Sequence, residues 1–484
     1  MKHKNKNELL LASIGCLSAS LFPFLGAFDE RRLWLAVLLS GTPLIALASG
    51  RLTGALPRWL LSCGGPILAL GLVSSLASEL PAWGLLGVAQ LMLIAVSACV
   101  IAAALERQAI ADARLNALCF ILPAGLWSFA ALSIIYTAFA TGLPLRYPEP
   151  LTIFANIRFL NQYQTWVIPF LTLALILPSP TSRVRPVFWY TLALAVGIFI
   201  WALYWRSMGR GTALATIIAT VFAALAFGRP GLRHLKWTVV LSVSGLLLNA
   251  LLFPGDGAVA GMGRLVSSDS PGRIALWQLA LAQIGTHPWL GLGPLQFAAL
   301  DNGIASHPHN AVTQWAVEWG LPAAVLLTGL LGRLLLEWLA FARRTIDPVG
   351  TRRAATDADA MRVAITASLL AAGLHAMVSG VIVMPVSQYM LVLVTGIAGG
   401  LYLRSNPTLD EPHHPTGVAT FMRASITAVV PIMCLYVMVF TVHDYRTRLT
   451  KARSEATSYI RNANQPRYWS DGTLVDISTT KPSK

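Results

Sequence analysis

The sequence has few charged residues for its length. Only 12% of its 484 residues are Asp, Glu, Lys or Arg, whereas 55% are hydrophobic. An ordinary soluble protein carries about 25% charged residues, so the composition argues against a soluble globular protein. Apolar runs instead recur along the whole chain, and a run of about 18 residues or more can cross roughly 30 Å of hydrocarbon as a helix.

Cysteine is scarce and the common cofactor motifs are missing. The five cysteines lie inside apolar runs, with no CxxC or other metal-ligand spacing among Cys16, Cys63, Cys99, Cys119 and Cys434. Such cysteines are typical of small buried side chains. The sequence contains no phosphate-binding loop, dinucleotide fingerprint or serine-nucleophile elbow. We therefore expect no cofactor and no bound metal.

The alternating pattern of a membrane β-barrel is absent too. Helices satisfy their own backbone hydrogen bonds inside lipid, so we predict an all-α, polytopic membrane helical bundle with about 12–13 transmembrane helices. The candidate spans are 9–27, 33–49, 59–78, 82–105, 117–141, 159–178, 187–205, 211–228, 237–254, 315–340, 363–384, 386–403 and 424–443. The first has no convincing cleavage site after it and is interpreted as an uncleaved span.

The distribution of Lys and Arg predicts the orientation. The formal net charge is +15, but the basic residues lie mostly in short connections between spans, which is typical of a membrane protein rather than a nucleic-acid-binding one. If the N-terminus lies in the cytoplasm, most of the Lys and Arg residues lie on the cytoplasmic side. Residues 255–310 then form one long external loop of a membrane domain, 1–443. A basic tail, 444–484, falls outside against the charge rule, and we interpret it as an external extension.

Four polar segments come to the external side in this topology, namely 156–164, 206–212, 270–277 and 307–310. Arginine presents a planar fork of donors that matches phosphate oxygens. Neutralising a leaving diphosphate lowers the barrier to breaking a sugar–phosphate bond. Histidine titrates near neutrality and can take a proton from an attacking hydroxyl. The set predicts group transfer from a polyprenyl diphosphate to an alcohol, without a metal.

Each segment also has a structural interpretation. External arginines often bind lipid head groups or extend to the interface, and we keep that interpretation for Arg206. A loop histidine is often only structural or solvated. The polar residues at 161–164 fit hydrogen bonding between helices equally well.

Three other features give weaker signals. Asp29 and Glu30, in the first external loop, form a rival site for a metal or a base. Asp357 and Asp359 have a DxD spacing, but they lie in a predicted cytoplasmic loop and are interpreted as solvated. His375 lies inside a predicted span, which makes it a functional candidate, and a hydrogen-bonded histidine inside the bundle explains it equally well.

Several motifs in their order resemble the O-antigen ligase and O-antigen polymerase superfamily. They are Ser-Met-Gly-Arg-Gly at 207–211, Ser-Pro-Gly-Arg to Trp at 270–277, Gly-Thr-His-Pro-Trp-Leu-Gly-Leu-Gly at 285–293, His-Asn at 309–310, and Gly320. The superfamily includes lipopolysaccharide ligases, polymerases and bacterial O-oligosaccharyltransferases. The resemblance is clearest over about 200–325.

This resemblance implies a glycosyltransferase of the bacterial inner membrane that acts at the periplasmic face. The donor would be a glycan on undecaprenyl diphosphate. Arg210 and Arg273 match the family arginines that contact the diphosphate, and His309 matches the base. Four further residues would support the site: Asn310, His307, Arg158 and Gln162.

The acceptor is the least determined part of the prediction. The ligase pattern has Gly, Thr or Tyr three residues after the glycine, whereas Ala323 stands at that position after Gly320. We therefore favour, narrowly, a protein acceptor such as a pilin over the lipid A-core of an O-antigen ligase, with a polymerase third. A lipid-glycan flippase is the alternative of another class. The expected partners are the lipid-linked glycan, the acceptor and membrane lipids, but no nucleic acid.

Overall fold

A computed structural model gives the structure of the protein. It describes residues 21–22, 25, 28–52, 58–106, 113–143, 145, 150–154, 156–177, 186–207, 209–253, 271–300, 302, 304–346, 357–405, 417–454, 469–470 and 473–474. These residues are almost entirely helical. A two-residue antiparallel strand pair, β1 (Trp469–Ser470) with β2 (Thr473–Leu474), is the exception within the described part of the chain.

Fourteen α-helices follow one another along the described chain. They are α1 (Phe28–Ala48), α2 (Arg58–Leu76), α3 (Pro81–Glu106), α4 (Ala113–Thr141), α5 (Ile157–Ile176), α6 (Pro186–Ser207), α7 (Arg210–Phe227), α8 (Arg229–Leu252), α9 (Pro271–Thr286), α10 (Ala311–Trp319), α11 (Leu321–Thr345), α12 (Asp357–Ala376), α13 (Pro385–Ser405) and α14 (Gly417–Ser454). Short 3₁₀ turns precede α5, at Leu151–Phe154, and α10, at Gln296–Ala299.

The protein is a multi-pass helical membrane protein, as predicted. Within the described residues, nine helices are long and apolar enough to cross a membrane: α1, α3, α4, α6, α7, α8, α11, α13 and α14. Helices α2, α5 and α12 coincide with the predicted spans 59–78, 159–178 and 363–384 but are not among the nine. Most of the predicted first span, 9–27, lies outside the described residues.

The helix boundaries differ from the prediction in several places. The predicted loop 255–310 contains a helix, α9. Helix α12 ends at Ala376, so the apolar residues 377–384 form a turn rather than the end of a span. Helix α14 continues through the predicted boundary at 443. The division into a membrane domain, 1–443, and a tail, 444–484, stays a prediction.

The cysteines are partly as expected. Cys99 and Cys434 are buried free thiols, and Cys63 is half-buried. Cys119 is disulfide-bonded, which the sequence interpretation did not anticipate.

The chain divides into two compact units. The first unit contains the described residues within Met1–Leu25, Arg107–Ser268 and Leu336–His375, and the second contains those within Gly26–Glu106, Asp269–Leu335 and Ala376–Lys484.

Helix α5 forms the core of the first unit. Its residues from Leu160 to Leu175 are all buried, and α4, α6 and α8 pack against it. Helix α8 approaches α6 closely because Gly245 has no side chain. A Cβ atom there would lie 2.8 Å from the backbone nitrogen of Ala202. Small residues at such crossings let membrane helices pack backbone to backbone.

The second unit is built on the pair α3 and α13, with α1, α2 and α14 against α3. Glycines in α13 allow the close contact. A Cβ atom on Gly396 would lie 2.7 Å from Ile101, and one on Gly400 would lie 3.1 Å from the carbonyl oxygen of Ala102. This is again the small-residue packing of membrane helices.

Several helix ends of the second unit meet at one end of it. The Tyr445 hydroxyl donates to Glu30 Oε1 over 3.3 Å, which brings the end of α14 to the start of α1. The Tyr436 hydroxyl donates to the carbonyl oxygen of Ala82 at the start of α3. Gln296 donates to the carbonyl oxygen of Leu80, in the turn between α2 and α3. All these segments were predicted to lie on one side of the membrane.

Candidate functional site

The loop 307–310 in the second unit is held at its end by Asn310. This residue is the N-cap of α10: its Oδ1 accepts from the backbone N–H of Thr313 over 2.9 Å. Its Nδ2 donates to the carbonyl oxygen of Met377 over 3.0 Å. One side chain therefore starts the helix and ties the loop to the turn after α12.

The two histidines of this loop lie together. Their ring centroids are 4.2 Å apart, with 59° between the planes. The side chains of His307 and His309 are both buried. His309 has a φ of 58°, a left-handed conformation in which histidine is one of the tolerated non-glycine residues. The chain therefore turns sharply at His309, the residue predicted to act as the general base.

Gly380, in the turn between α12 and α13, makes room for His307. A Cβ atom at this position would lie only 2.2 Å from His307 Nε2, so any side chain would displace the imidazole ring. No sequence signal pointed to this residue, since a glycine in an apolar run has many explanations.

Arg273 lies on the helix that contacts this loop. It lies in α9, one helical turn before Trp277, whose indole Nε1 donates to the carbonyl oxygen of Pro308 over 2.8 Å. Residues four apart share one face of a helix. The helix face that carries Arg273 is therefore the face that contacts the 307–310 loop, and Arg273 is itself half-buried.

A small apolar core fixes α9 against α10. It consists of Leu276, Ala280, Phe297, Ala305 and Val317, with Leu279 and Ile284 packed around it. The polar residues of the loop are thus supported by a packed surface within this unit.

The glycine-rich segment 285–293 pairs with the end of α10. The backbone N–H groups of Leu292 and Gly293 donate to the carbonyl oxygens of Val317 and Glu318, each over 2.9 Å. Gly320 has a φ of 82°, and a Cβ atom there would lie 2.1 Å from the carbonyl oxygen of Trp289. Gly320 therefore has a structural role, since the absence of a side chain lets the loop close against the helix end.

Arg210, Arg158 and Gln162 belong to the first unit. Arg210 is half-buried and is the first residue of α7, directly after its N-cap, Gly209. Arg158 is exposed in the first turn of α5, and Gln162 is buried one turn further on. The functional roles predicted for these three residues stay predictions.

Two of the polar residues at 161–164 make hydrogen bonds between helices. Asn161 Nδ2 donates to Ser207 Oγ over 2.6 Å, and Gln164 Nε2 donates to the carbonyl oxygen of Ile200 over 3.0 Å. His375 also belongs to this group, since its Nδ1 lies 2.8 Å from Thr165 Oγ1. Hydrogen bonding between helices is therefore observed for Asn161 and Gln164.

The weaker candidates have structural contacts as well. The guanidinium of Arg206 lies 3.8 Å from the ring centroid of Phe253, in a cation–π contact. Asp29 forms an ion pair with Arg32, and Asp359 forms one with Arg362 over 3.0 Å. Among the residues that the structure describes, no group of three or more His, Cys, Asp or Glu side chains is placed to hold a metal ion.

Residues 168–328 match the family model described as O-antigen ligase. The match contains the segments 206–212, 270–277 and 307–310, so it covers the motifs from which the resemblance was inferred, and that resemblance is confirmed over this part of the chain. No curated protein matches the chain. In general terms the match supports a membrane glycosyltransferase similar to O-antigen ligases, with a lipid-linked glycan and an acceptor as its partners.

Proposed function

We propose that this O-antigen ligase-like membrane protein moves a glycan from undecaprenyl diphosphate to an acceptor hydroxyl at the periplasmic face of the bacterial inner membrane. His309 is the catalytic base and Arg273 binds the diphosphate, without a metal. For Arg210, in the first unit, we propose diphosphate binding as well, and its variants test that role independently.

One observation carries the proposal: the indole of Trp277 donates to the carbonyl oxygen of Pro308. This bond ties the helix face of Arg273 to the loop of His309 in a single unit. The donor diphosphate and the acceptor hydroxyl must react at neighbouring atoms, so a cation and a base supported on one small scaffold suit this chemistry.

The transfer then proceeds as a displacement at the sugar. The acceptor hydroxyl gives its proton to the imidazole of His309, and its oxygen forms a bond to the anomeric carbon. The bond between that carbon and the diphosphate oxygen breaks, and its electron pair leaves with the diphosphate. Arg273 lowers the barrier by donating hydrogen bonds to the charge that develops on the leaving group.

Four residues have supporting roles in this proposal. Asn310 fixes the loop through Thr313 and Met377, and His307 packs against His309. Gln162 and Arg158 are proposed to support donor binding from α5.

A protein serine or threonine is the narrowly favoured acceptor. The two histidines, 4.2 Å apart, are similar to the paired form in some protein-glycosylating members of the superfamily. Ala323 departs from the ligase pattern, which weakens a lipid A-core acceptor. Reconstitution with the undecaprenyl diphosphate glycan, with pilin and lipid A-core offered side by side and no added metal, decides between them.

Two substitutions in the second unit test the chemistry. His309→Asn removes the base but tolerates the left-handed backbone, and we expect a loss of transfer of about 10²–10⁴-fold. Arg273→Ala should lose about 10²–10³-fold because a donor to the leaving group is gone. Initial rates of glycan transfer by the purified, reconstituted protein measure both effects.

Gln278→Ala is the matched control, since Gln278 is exposed on the same helix as Arg273. It should transfer at the rate of the unsubstituted protein. Full transfer by both His309→Asn and Arg273→Ala would contradict the proposed chemistry. Movement of the donor across vesicles without covalent change would instead indicate a flippase.

A further inference from the structure

Helix α7 of the first unit begins without a side-chain cap. Its N-cap residue is Gly209, which makes no capping hydrogen bond through a side chain. Such a bond commonly fixes the first turn of a helix. The first residue of this uncapped helix is Arg210, so other contacts must determine where the backbone of Arg210 lies.

Asn161, near the start of α5, supplies contacts on both sides of Arg210. Before it in the sequence, Ser207 Oγ accepts from Asn161 Nδ2 over 2.6 Å. After it, Thr212 Oγ1 donates to the backbone carbonyl oxygen of Asn161 over 3.3 Å. All three contact residues are buried.

Gly209 makes the third contact. It lies directly against the amide of Asn161, and a Cβ atom on Gly209 would lie 2.5 Å from Oδ1 and 2.6 Å from Cγ. The backbone immediately before Arg210 can therefore take this path only because position 209 has no side chain.

His375, at the end of α12, completes the arrangement. Thr165 Oγ1 donates to the same Asn161 carbonyl oxygen over 2.9 Å and lies 2.8 Å from His375 Nδ1. A hydroxyl has one proton, so Thr165 accepts from the N–H at Nδ1. Because Asn161 is thereby joined to α12 as well as to α6 and α7, its position does not depend on α5 alone.

We propose that Asn161 is the positioning residue for Arg210. It sets the backbone of 207–212, and with it the point from which the Arg210 guanidinium reaches the donor diphosphate. The inference rests on the proposed role of Arg210. Donor binding is sensitive to this position because a displacement of about 1 Å in a reacting assembly can cost about 100-fold in rate.

Asn161→Ala tests the inference first. The variant removes the bond to Ser207, and we expect the KM for the undecaprenyl diphosphate glycan to rise about tenfold or more while the KM for the acceptor stays unchanged. A role in stability alone would lower the amount of folded protein and leave both KM values unchanged. Thr172→Val is the matched control: it removes a buried bond, to Thr238, from the same helix.

Gly209→Ala is a second test of the inference, and it does not depend on how much folded Asn161→Ala protein is obtained. Its methyl group collides with the Asn161 amide, so the donor KM should rise. In the double variant with Asn161→Ala the amide is gone, and the donor KM should return to that of Asn161→Ala alone. A double variant worse than both single variants would overturn the contact.

Arg210→Ala separates the two claims. If this variant keeps full transfer, the proposed role of Arg210 is wrong, regardless of the result for Asn161→Ala. If it loses transfer, Asn161→Ala should add little in its background, because the group being positioned is already absent. Fully additive losses, or an unchanged donor KM in Asn161→Ala, would overturn the positioning role.

Discussion

At the scale of single residues, His309, the proposed base, has an uncommon backbone conformation. Its φ of 58° costs about 1–2 kcal/mol for a residue with a Cβ atom. The bonds of Asn310 to Thr313 and Met377 hold the chain on the far side of this turn. The backbone conformation at 309 therefore helps to determine the direction of the imidazole ring, together with the packing of the side chain.

Gly380 determines how closely the turn after α12 approaches His307. Residue types such as Arg and His are recognisable in a sequence because their chemistry suits diphosphate and proton transfer. The contribution of Gly380 is the absence of a side chain, and its partner is distant in sequence. Such a contact follows only from the fold.

Gly380→Ala should therefore lower glycan transfer. The added Cβ atom would lie 2.2 Å from His307 Nε2, so the ring or the turn must move, and we expect a loss of about tenfold or more in rate. Transfer rates of the reconstituted protein measure it. Gly373→Ala is the control, because a Cβ atom on Gly373 meets nothing within 4 Å; equal rates for the two variants would exclude this effect.

At the scale of secondary-structure elements, α9 supports the proposed chemistry. Its 16 residues span about 24 Å as a helix, less than the roughly 30 Å of hydrocarbon. It is too short for a span, and it lies in the segment 255–310 that the sequence predicts as a loop. Its apolar positions Leu276 and Ala280 are buried against α10, and Trp277 joins it to the loop of His309.

Trp277→Phe should weaken that connection. The variant keeps an aromatic ring but removes the bond to Pro308, whose net worth is about 0.5–1.5 kcal/mol. We expect transfer to fall by up to about tenfold. Trp189→Phe is a matched control, since its indole donates to the carbonyl oxygen of Ala174 over 3.1 Å in the first unit. A similar fall in both variants would indicate a general loss of stability.

The helices were predictable where apolar length alone defines them, as for α3 or α13. The end of α12 was not, because the residues after Gly380 are as apolar as a span: Val381, Ile382, Val383 and Met384. Likewise, Asn161 was recognisable as an unusual polar residue in a span, but its partners Ser207 and Gly209 depend on how α5, α6 and α7 pack. Hydropathy carries no information on that packing.

At the scale of the whole molecule, the two units each gather their predicted external segments at one end. In the first unit, Asn161 brings together the start of α5, the end of α6 and the start of α7. In the second, Tyr445 and Glu30 bring the end of α14 to the start of α1. The alternation of the predicted spans places both groups on the external side, whereas the basic tail after α14 opposes the charge rule.

The contact of Tyr445 with Glu30 predicts that the chain after α14 leaves on the same side as the turn between α2 and α3. In a variant without the five native cysteines, Glu79→Cys and Thr447→Cys should react equally with an impermeant maleimide applied to spheroplasts. Both positions are exposed, as is Ser405 at the opposite end of α13. Residue 385 lies between two predicted spans, on the predicted external side. The 21 residues of α13 separate Ser405 from Pro385, so Ser405→Cys should react only after permeabilisation. Labelling of Thr447→Cys that follows Ser405→Cys instead would place the tail in the cytoplasm, where the charge rule alone puts it.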